Sequence, residues 1–353
     1  MLRQLLGLRT SVIQAPMFGV STPALVAEVV KHGALGSYGA GVSPPTIVRK
    51  DLEEIARLVP DKRFNLNVFV ESASSSRTSE HDSAANWNTY DRLLEPVRAA
   101  LQLGMPSGSV PEPPASFLDD HLALAQEFRP AVVSFCFGVL DGAVVRDLQA
   151  FALVVGTATS VEEAAMLADA GVDAIVAQGS EAGGHRGGFI ATRHPTDALI
   201  GSMALIPQIC DAVGRSRIPV IAAGGISDAR HVQAAIALGA DAVQVGTAFV
   251  GTPESGASRE WKLSLGPRVH PSTGTTVTRG LTGRPARMLR NKLVDALQPH
   301  EALAASSPWQ RQRMRDIFQR KNAEYMGLLA GQGHRACDAL TSVEAVLARL
   351  VVK

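Results

Sequence analysis

The residues whose types and spacing best suit chemistry lie in a glycine-rich run, Gln178-Gly-Ser-Glu-Ala-Gly-Gly-His-Arg-Gly-Gly188. Five of these eleven residues are glycine, so the backbone can sit against a flat ligand and the loop reads as mobile. His185 is the one side chain there that titrates near neutral pH, at ~6.5 when unperturbed. That suits it to accept a proton or to hydrogen-bond a developing anion. The blander reading is a loop histidine bonded to backbone. His194, a few residues on, lacks the glycine setting and reads as structural or exposed.

Two further glycine clusters end short apolar runs, Ala222-Ala-Gly-Gly-Ile-Ser227 and Gln244-Val-Gly-Thr247. At Gly224, Gly225 and Gly246 backbone N–H groups can close on phosphate oxygens, and a following helix N-terminus adds positive potential. Val245 leads into that turn and Thr247 adds a hydroxyl. As structure alone, the glycine pair makes a tight turn. Asn65 and Asn67 lie two apart and share one strand face, with Phe64, Leu66 and Val68 on the other. Amides facing an interior are costly unless bonded, which points to a polar ligand or to a network of their own. Gln178 and Gln244 follow the same logic. Ala15, Pro16 and Met17 end the first apolar run, where a planar ring could lie against the backbone.

These residues need a scaffold, and the first ~250 positions supply a pattern for one. Eight β-branched runs, at 11–15, 34–36, 65–69, 131–135, 152–155, 173–177, 218–222 and 241–245, alternate with alanine-rich helical stretches. They are mostly continuous rather than alternating, as strands covered on both faces should be. Thr22-Pro23 reads as a helix start, Ser160-Val-Glu-Glu163 as a capping box, and Gly33, Gly171 and Gly239 as left-handed helix ends. Residues 154–175 align without a gap to 222–243, matching Ser160 with Asp228 and Asp173 with Asp241. A pattern that recurs after two βα units favours an α/β protein with a (β/α)8 barrel; an open doubly wound sheet is the alternative. Barrel enzymes carry their chemistry after the C-terminal ends of strands, with phosphate sites often after strands seven and eight. The glycine clusters fall there.

The expected organisation is a barrel over 1–255 and a mainly helical region over 256–353 that covers its mouth. The polar, Ser/Pro-rich stretch 71–114 reads as an insertion or lid. Arg311, Arg313, Arg315 and Arg320 read as a solvated helix face. Of 353 residues 46% are hydrophobic and 19% charged, which excludes a disordered chain. Lys+Arg 34 against Asp+Glu 33 gives no electrostatic footprint for nucleic acid or an anionic membrane. Cys136, Cys210 and Cys337 form no C-x-x-C pair, so neither a disulfide framework nor a metal site is expected. No apolar run reaches the ~18 residues of a membrane helix, and Arg3 and Arg9 break the first one. A cytoplasmic protein is expected.

The sequence resembles the nitronate monooxygenase family, formerly called 2-nitropropane dioxygenases. The matching pieces are QAPMFGVSTPALVAEVVKHGALGS (14–37), FNLNVF (64–69), VAQGSEAGGHRGG (176–188), IPVIAAGGISDARHV (218–232) and GADAVQVGTAFV (239–250), with GQG (331–333) resembling the closing segment. The resemblance implies a TIM barrel that binds FMN and oxidises alkyl nitronates, and in some members nitroalkanes, with O₂ to carbonyl compounds and nitrite. It needs no nicotinamide cofactor. Carried over by motif, Asn67, Gln178, Gly183, Gly184, Gly224, Gly225, Gln244, Val245, Gly246 and Thr247 are FMN contacts, with Ala15, Pro16 and Met17 near the ring. His185 matches the active-site histidine, as base or hydrogen-bond donor. Expected partners are the small substrate and O₂, with a homodimer left open. The alternatives are an FMN- and NAD(P)H-dependent enoyl-[acyl-carrier-protein] reductase and a flavin- or phosphate-binding barrel without catalysis. An IMP dehydrogenase-like reaction is excluded, because residues 178–190 hold no cysteine nucleophile.

Overall fold

Eight short segments, most of them rich in β-branched residues, pair side by side and bend into a ring. They are β1 (Val12–Gln14), β2 (Gly36–Gly41), β3 (Phe64–Phe69), β4 (Val132–Cys136), β5 (Leu153–Ala158), β6 (Ala174–Gln178), β8 (Val220–Ala223) and β9 (Ala242–Val245). β7 (Gly184–His185) stands outside the ring. The parallel order is β1-β9-β8-β6-β5-β4-β3-β2. A bridge between Ile13 and Leu35, with Gln14 N donating to Leu35 O at 2.9 Å, closes β1 on the start of β2. This is the expected (β/α)8 barrel. The computed structural model describes residues 2–70, 84–105, 116–190, 199–214, 218–266, 274–307 and 309–351. His194 and both polar ends of the 71–114 stretch lie outside them.

Two apolar layers hold the ring. Inside, Ile13, Leu35, Val132, Val155, Val176 and Ile221 pack together, and Leu2 and Leu6 of the N-terminal segment plug one end. Outside, Phe64, Leu66, Val68, Val133 and Phe135 pack against the helices. The alternation puts Asn65, Asn67 and Ser134 on the inner face, as the two-residue spacing requires.

The internal echo proves to be a repeated wiring. Ser160 and Asp228 both cap helices, their side chains accepting from Glu163 N and Arg230 N. Asp173 accepts from Val154 N at 2.7 Å, and Asp241 accepts from Val220 N at 3.2 Å, each tying a helix exit to the preceding strand. Gly33, Gly171 and Gly239 all take positive φ, at 83°, 85° and 106°.

Several expectations change. The second strand begins two residues later than the apolar pattern suggests and runs on to Gly41, because its Gly-Ser-Tyr-Gly-Ala-Gly sequence has no β-branched residue to mark it. Beyond residue 256 the chain adds two strands, β10 (Thr275–Thr278) and β11 (Ala286–Leu289), which join β7 in an antiparallel sheet. The arginines do not form one solvated face. Arg315 and Arg320 are exposed, but Arg313 is buried, ion-paired to Asp91 at 3.2 Å and stacked 3.4 Å above the Trp87 ring. Trp87 and Tyr90 belong to the helix Ala84–Ala100 within the 71–114 stretch. That helix shares an apolar cluster with Leu281, Met288, Leu293, Met314 and Ile317. It is therefore packed onto the C-terminal region.

Candidate active site

The glycine loop after β6 is pinned rather than free. Gln178 Oε1 accepts from Gly187 N at 2.8 Å, and Gln178 Nε2 donates to His185 O at 3.2 Å. Arg186, buried, donates from Nη1 to the carbonyls of Gln178 and Gly179 at 3.0 and 2.7 Å. Arg287 Nε donates to Ser180 O at 2.7 Å, and Gln332 N donates to Glu181 O at 2.9 Å. The loop's glycines thus serve close packing. A Cβ on Gly183 would run into the backbone of Ala330 and Gly331.

Glu163 is the strongest of these fasteners, and half of the expected capping box explains it. Ser160 Oγ does accept from Glu163 N, at 3.2 Å. The Glu163 carboxylate, however, accepts from Thr159 N at 2.6 Å, Phe189 N at 2.6 Å and Ile190 N at 2.9 Å. It is 2% exposed and faces the buried Arg186 charge. Glu163→Ala leaves those donors and that cation without their anion. We expect a loss of about 3–5 kcal/mol, read as a lower urea midpoint at constant slope.

β7 carries His185 into register with Ala286 of β11, and Gly184 with Arg287. His185 Nε2 lies 3.0 Å from Thr282 Oγ1, and its ring meets Phe137 edge-on at 6.1 Å. Enclosure in this wall pushes the imidazole down to about 3, helped by the positive charges of Arg311 and Arg284. The ring is therefore neutral at physiological pH. Arg311 stacks 4.9 Å from the Phe18 ring and Arg284 4.5 Å from Phe137.

One cavity of about 210 Å³ opens at the barrel mouth. Every residue expected at the site lines it: Ala15, Pro16 and Met17 after β1, Asn67 on β3, Gln178, Gly183, Gly184 and His185 after β6, Gly224 and Gly225 after β8, and Gln244, Val245, Gly246 and Thr247 from β9. Asn65 is separate. Its amide donates to Ser37 Oγ at 3.1 Å in a network below the cavity, whereas Asn67 donates to Ser134 Oγ at 3.0 Å. Thr247 Oγ1 accepts from Gly331 N at 3.0 Å, so its own proton remains to donate.

The same wall includes Trp261, Arg311, Leu329, Gly331 and Gly333 from beyond the barrel. Only the GQG piece signalled any of them in sequence. Among the described residues no carboxylate lines the cavity, and Arg311 is its one full charge. The N–H groups of Gly224, Gly225 and Gly246 meet no acceptor among those residues. Gly224 and Gly225 take φ of 111° and 73°, backbone that glycine adopts without strain and other residues do not.

A family model described as nitronate monooxygenase matches residues 1–353. The chain belongs to the nitronate monooxygenase family. A probable nitronate monooxygenase from Staphylococcus saprophyticus subsp. saprophyticus is 36% identical over 343 residues, covering 96% of this chain and 93% of that one. The solved structure of a nitroalkane oxidase from Streptomyces ansochromogenes is 33% identical, with a TM-score of 0.86 over 99% of this chain and 96% of the other. FabK from Thermotoga maritima is less similar, at 26% identity and a TM-score of 0.72, with 99% and 94% covered. As a member of this family the chain is an oxidoreductase acting on nitronates or nitroalkanes, small-molecule substrates. Among the described residues, no helix is long and apolar enough to cross a membrane.

Proposed function

We propose that the enzyme holds FMN in the barrel mouth and oxidises alkyl nitronates with O₂ to carbonyl compounds and nitrite. The observation that carries the cofactor assignment is the donor set on one cavity. Three glycines whose N–H groups meet no acceptor among the described residues line it, beside an Asn67 amide, a Gln244 amide and the Thr247 hydroxyl. Such a set fits a phosphate at the Gly224–Gly225 and Gly246 turns and a polar heterocycle further across. Met17 and Pro16 offer an apolar floor for the ring, and Ala15 leaves it room.

Bound there, FMN supplies the electron chemistry with O₂, which no side chain can. The chain supplies position and charge. Gly183 and Gly184 would let the loop backbone approach the ring, and Asn67, Gln178 and Gln244 would hold its polar groups. Arg311 makes the cavity attractive to an anion such as a nitronate. His185 faces the substrate and takes up a proton when the substrate arrives as a neutral nitroalkane. The nitronate charge that develops beside it raises a proton affinity that burial holds low. We assign the barrel to residues 1–255 and the cover of its mouth to 256–353.

The purified protein should be yellow, consume O₂ with a nitronate and release nitrite without NADPH. A colourless preparation that takes up no FMN would sink the cofactor assignment. Rapid NADPH oxidation with an enoyl thioester, and no nitrite from nitronates, would instead identify a reductase.

A further inference from the structure

Thr282 stands between His185 and a carbonyl. Its Oγ1 lies 3.0 Å from His185 Nε2 and donates to the carbonyl oxygen of Arg284 at 3.2 Å. A hydroxyl has one proton to give, and a carbonyl oxygen can only accept. Both contacts are hydrogen bonds together in a single arrangement: Nε2–H donates to Oγ1, and Oγ1–H donates to Arg284 O. Had Thr282 given its proton to the ring, the Arg284 contact would be lost.

The neutral ring carries one proton, so placing it on Nε2 leaves the lone pair on Nδ1. No described group partners Nδ1, and His185 lines the cavity. We propose that Thr282 is a positioning residue that locks His185 as the Nε2–H tautomer, making Nδ1 the proton-accepting atom of the site. This rests on the reading above that His185 faces the substrate. In a neutral nitroalkane the α-C–H bond breaks and its proton passes to Nδ1. The electron pair stays on carbon and spreads into the nitro group, giving the nitronate, and the imidazolium later loses its proton to solvent. A preformed nitronate skips this step.

Thr282→Val keeps the shape and removes the hydroxyl, whereas Thr282→Ser keeps the hydroxyl. With equal flavin content, Val should lower kcat on a neutral nitroalkane on the order of 10-fold or more, part of the ~10²–10⁴-fold that a placed base supplies. KM should hold, Ser should restore the rate, and turnover of the preformed nitronate should change less than about twofold. ¹⁵N spectra of histidine-labelled protein, assigned with His185→Asn, should show the proton on Nε2 in the wild type and in the Ser variant. A wild-type proton on Nδ1, or equal losses on both substrates in the Val variant, would overturn the proposal. If the wild type oxidises neither substrate, the functional reading fails instead, and the spectra still decide the tautomer.

Discussion

His185→Asn is expected to cut turnover of a neutral nitroalkane by about 10²–10⁴-fold, the contribution of a placed general base. Oxidation of a preformed nitronate should stay within a few-fold, and FMN should stay bound. Asparagine is smaller and its amide reaches only the place of Nδ1. The Nε2 bond to Thr282 Oγ1 is therefore lost together with the proton acceptor, while the backbone pairing of β7 with β11 is retained. Steady-state kinetics on both substrate forms, with flavin content from absorbance, separates these outcomes. Equal losses on both would mean that His185 binds the nitro group rather than moving a proton. The same substitution has a sign in acid. His185 is held down to about 3 in the folded protein, against ~6.5 unfolded, so the unfolded chain binds the extra proton between those values. Stability contributed by the neutral ring is present above pH 6.5 and is lost as pH falls toward 3. The asparagine variant should therefore lose less stability across that window than the wild type does.

Gly224→Val is expected to weaken FMN binding on the order of 10²-fold, equivalent to about 2.7 kcal/mol. The backbone at Gly224 has φ of 111°, where a β-branched residue costs ~1–3 kcal/mol. Its Cβ would also sit 3.0 Å from Ala182 N and 3.2 Å from Gly179 O. Relief comes by turning the peptide, and that re-aims the N–H groups proposed to hold the phosphate. Titration of the apoprotein with FMN, followed by loss of flavin fluorescence, reads the affinity directly. Unchanged affinity would place the phosphate elsewhere.

What could be read from sequence was whatever the barrel itself positions. Gly224, Gly246 and Gln178 sit at strand ends, which local composition marks, and Asn67 lies within β3, where the two-residue alternation marks it. Their meeting at one cavity then follows from closing the ring. The C-terminal contributions were hidden for a physical reason. β7 is two residues long and has no periodicity to detect, so its pairing with Ala286 and Arg287 leaves no local trace. Thr282 lies in the turn that precedes β11 and becomes important only through that pairing. Arg311 and Arg313 share a helix of five residues, too short to display a face, so a charge run looked solvated when one member stacks on Trp87 and another on Phe18. The reading of the glycine loop as mobile failed similarly, since Glu163, Arg287 and Gln332 reach it from distant positions.

The partnership of β7 with β11 also orders events during synthesis. All eight ring strands have been synthesised once Val245 is made, and domains generally fold in that direction. His185 must nevertheless wait for Ala286 before its strand has a neighbour, and Thr282 arrives only just ahead of it. A chain arrested or clipped between those points keeps every barrel strand and leaves its histidine unplaced. On the proposed role of His185, catalytic competence is thus among the last properties the molecule acquires as it is made.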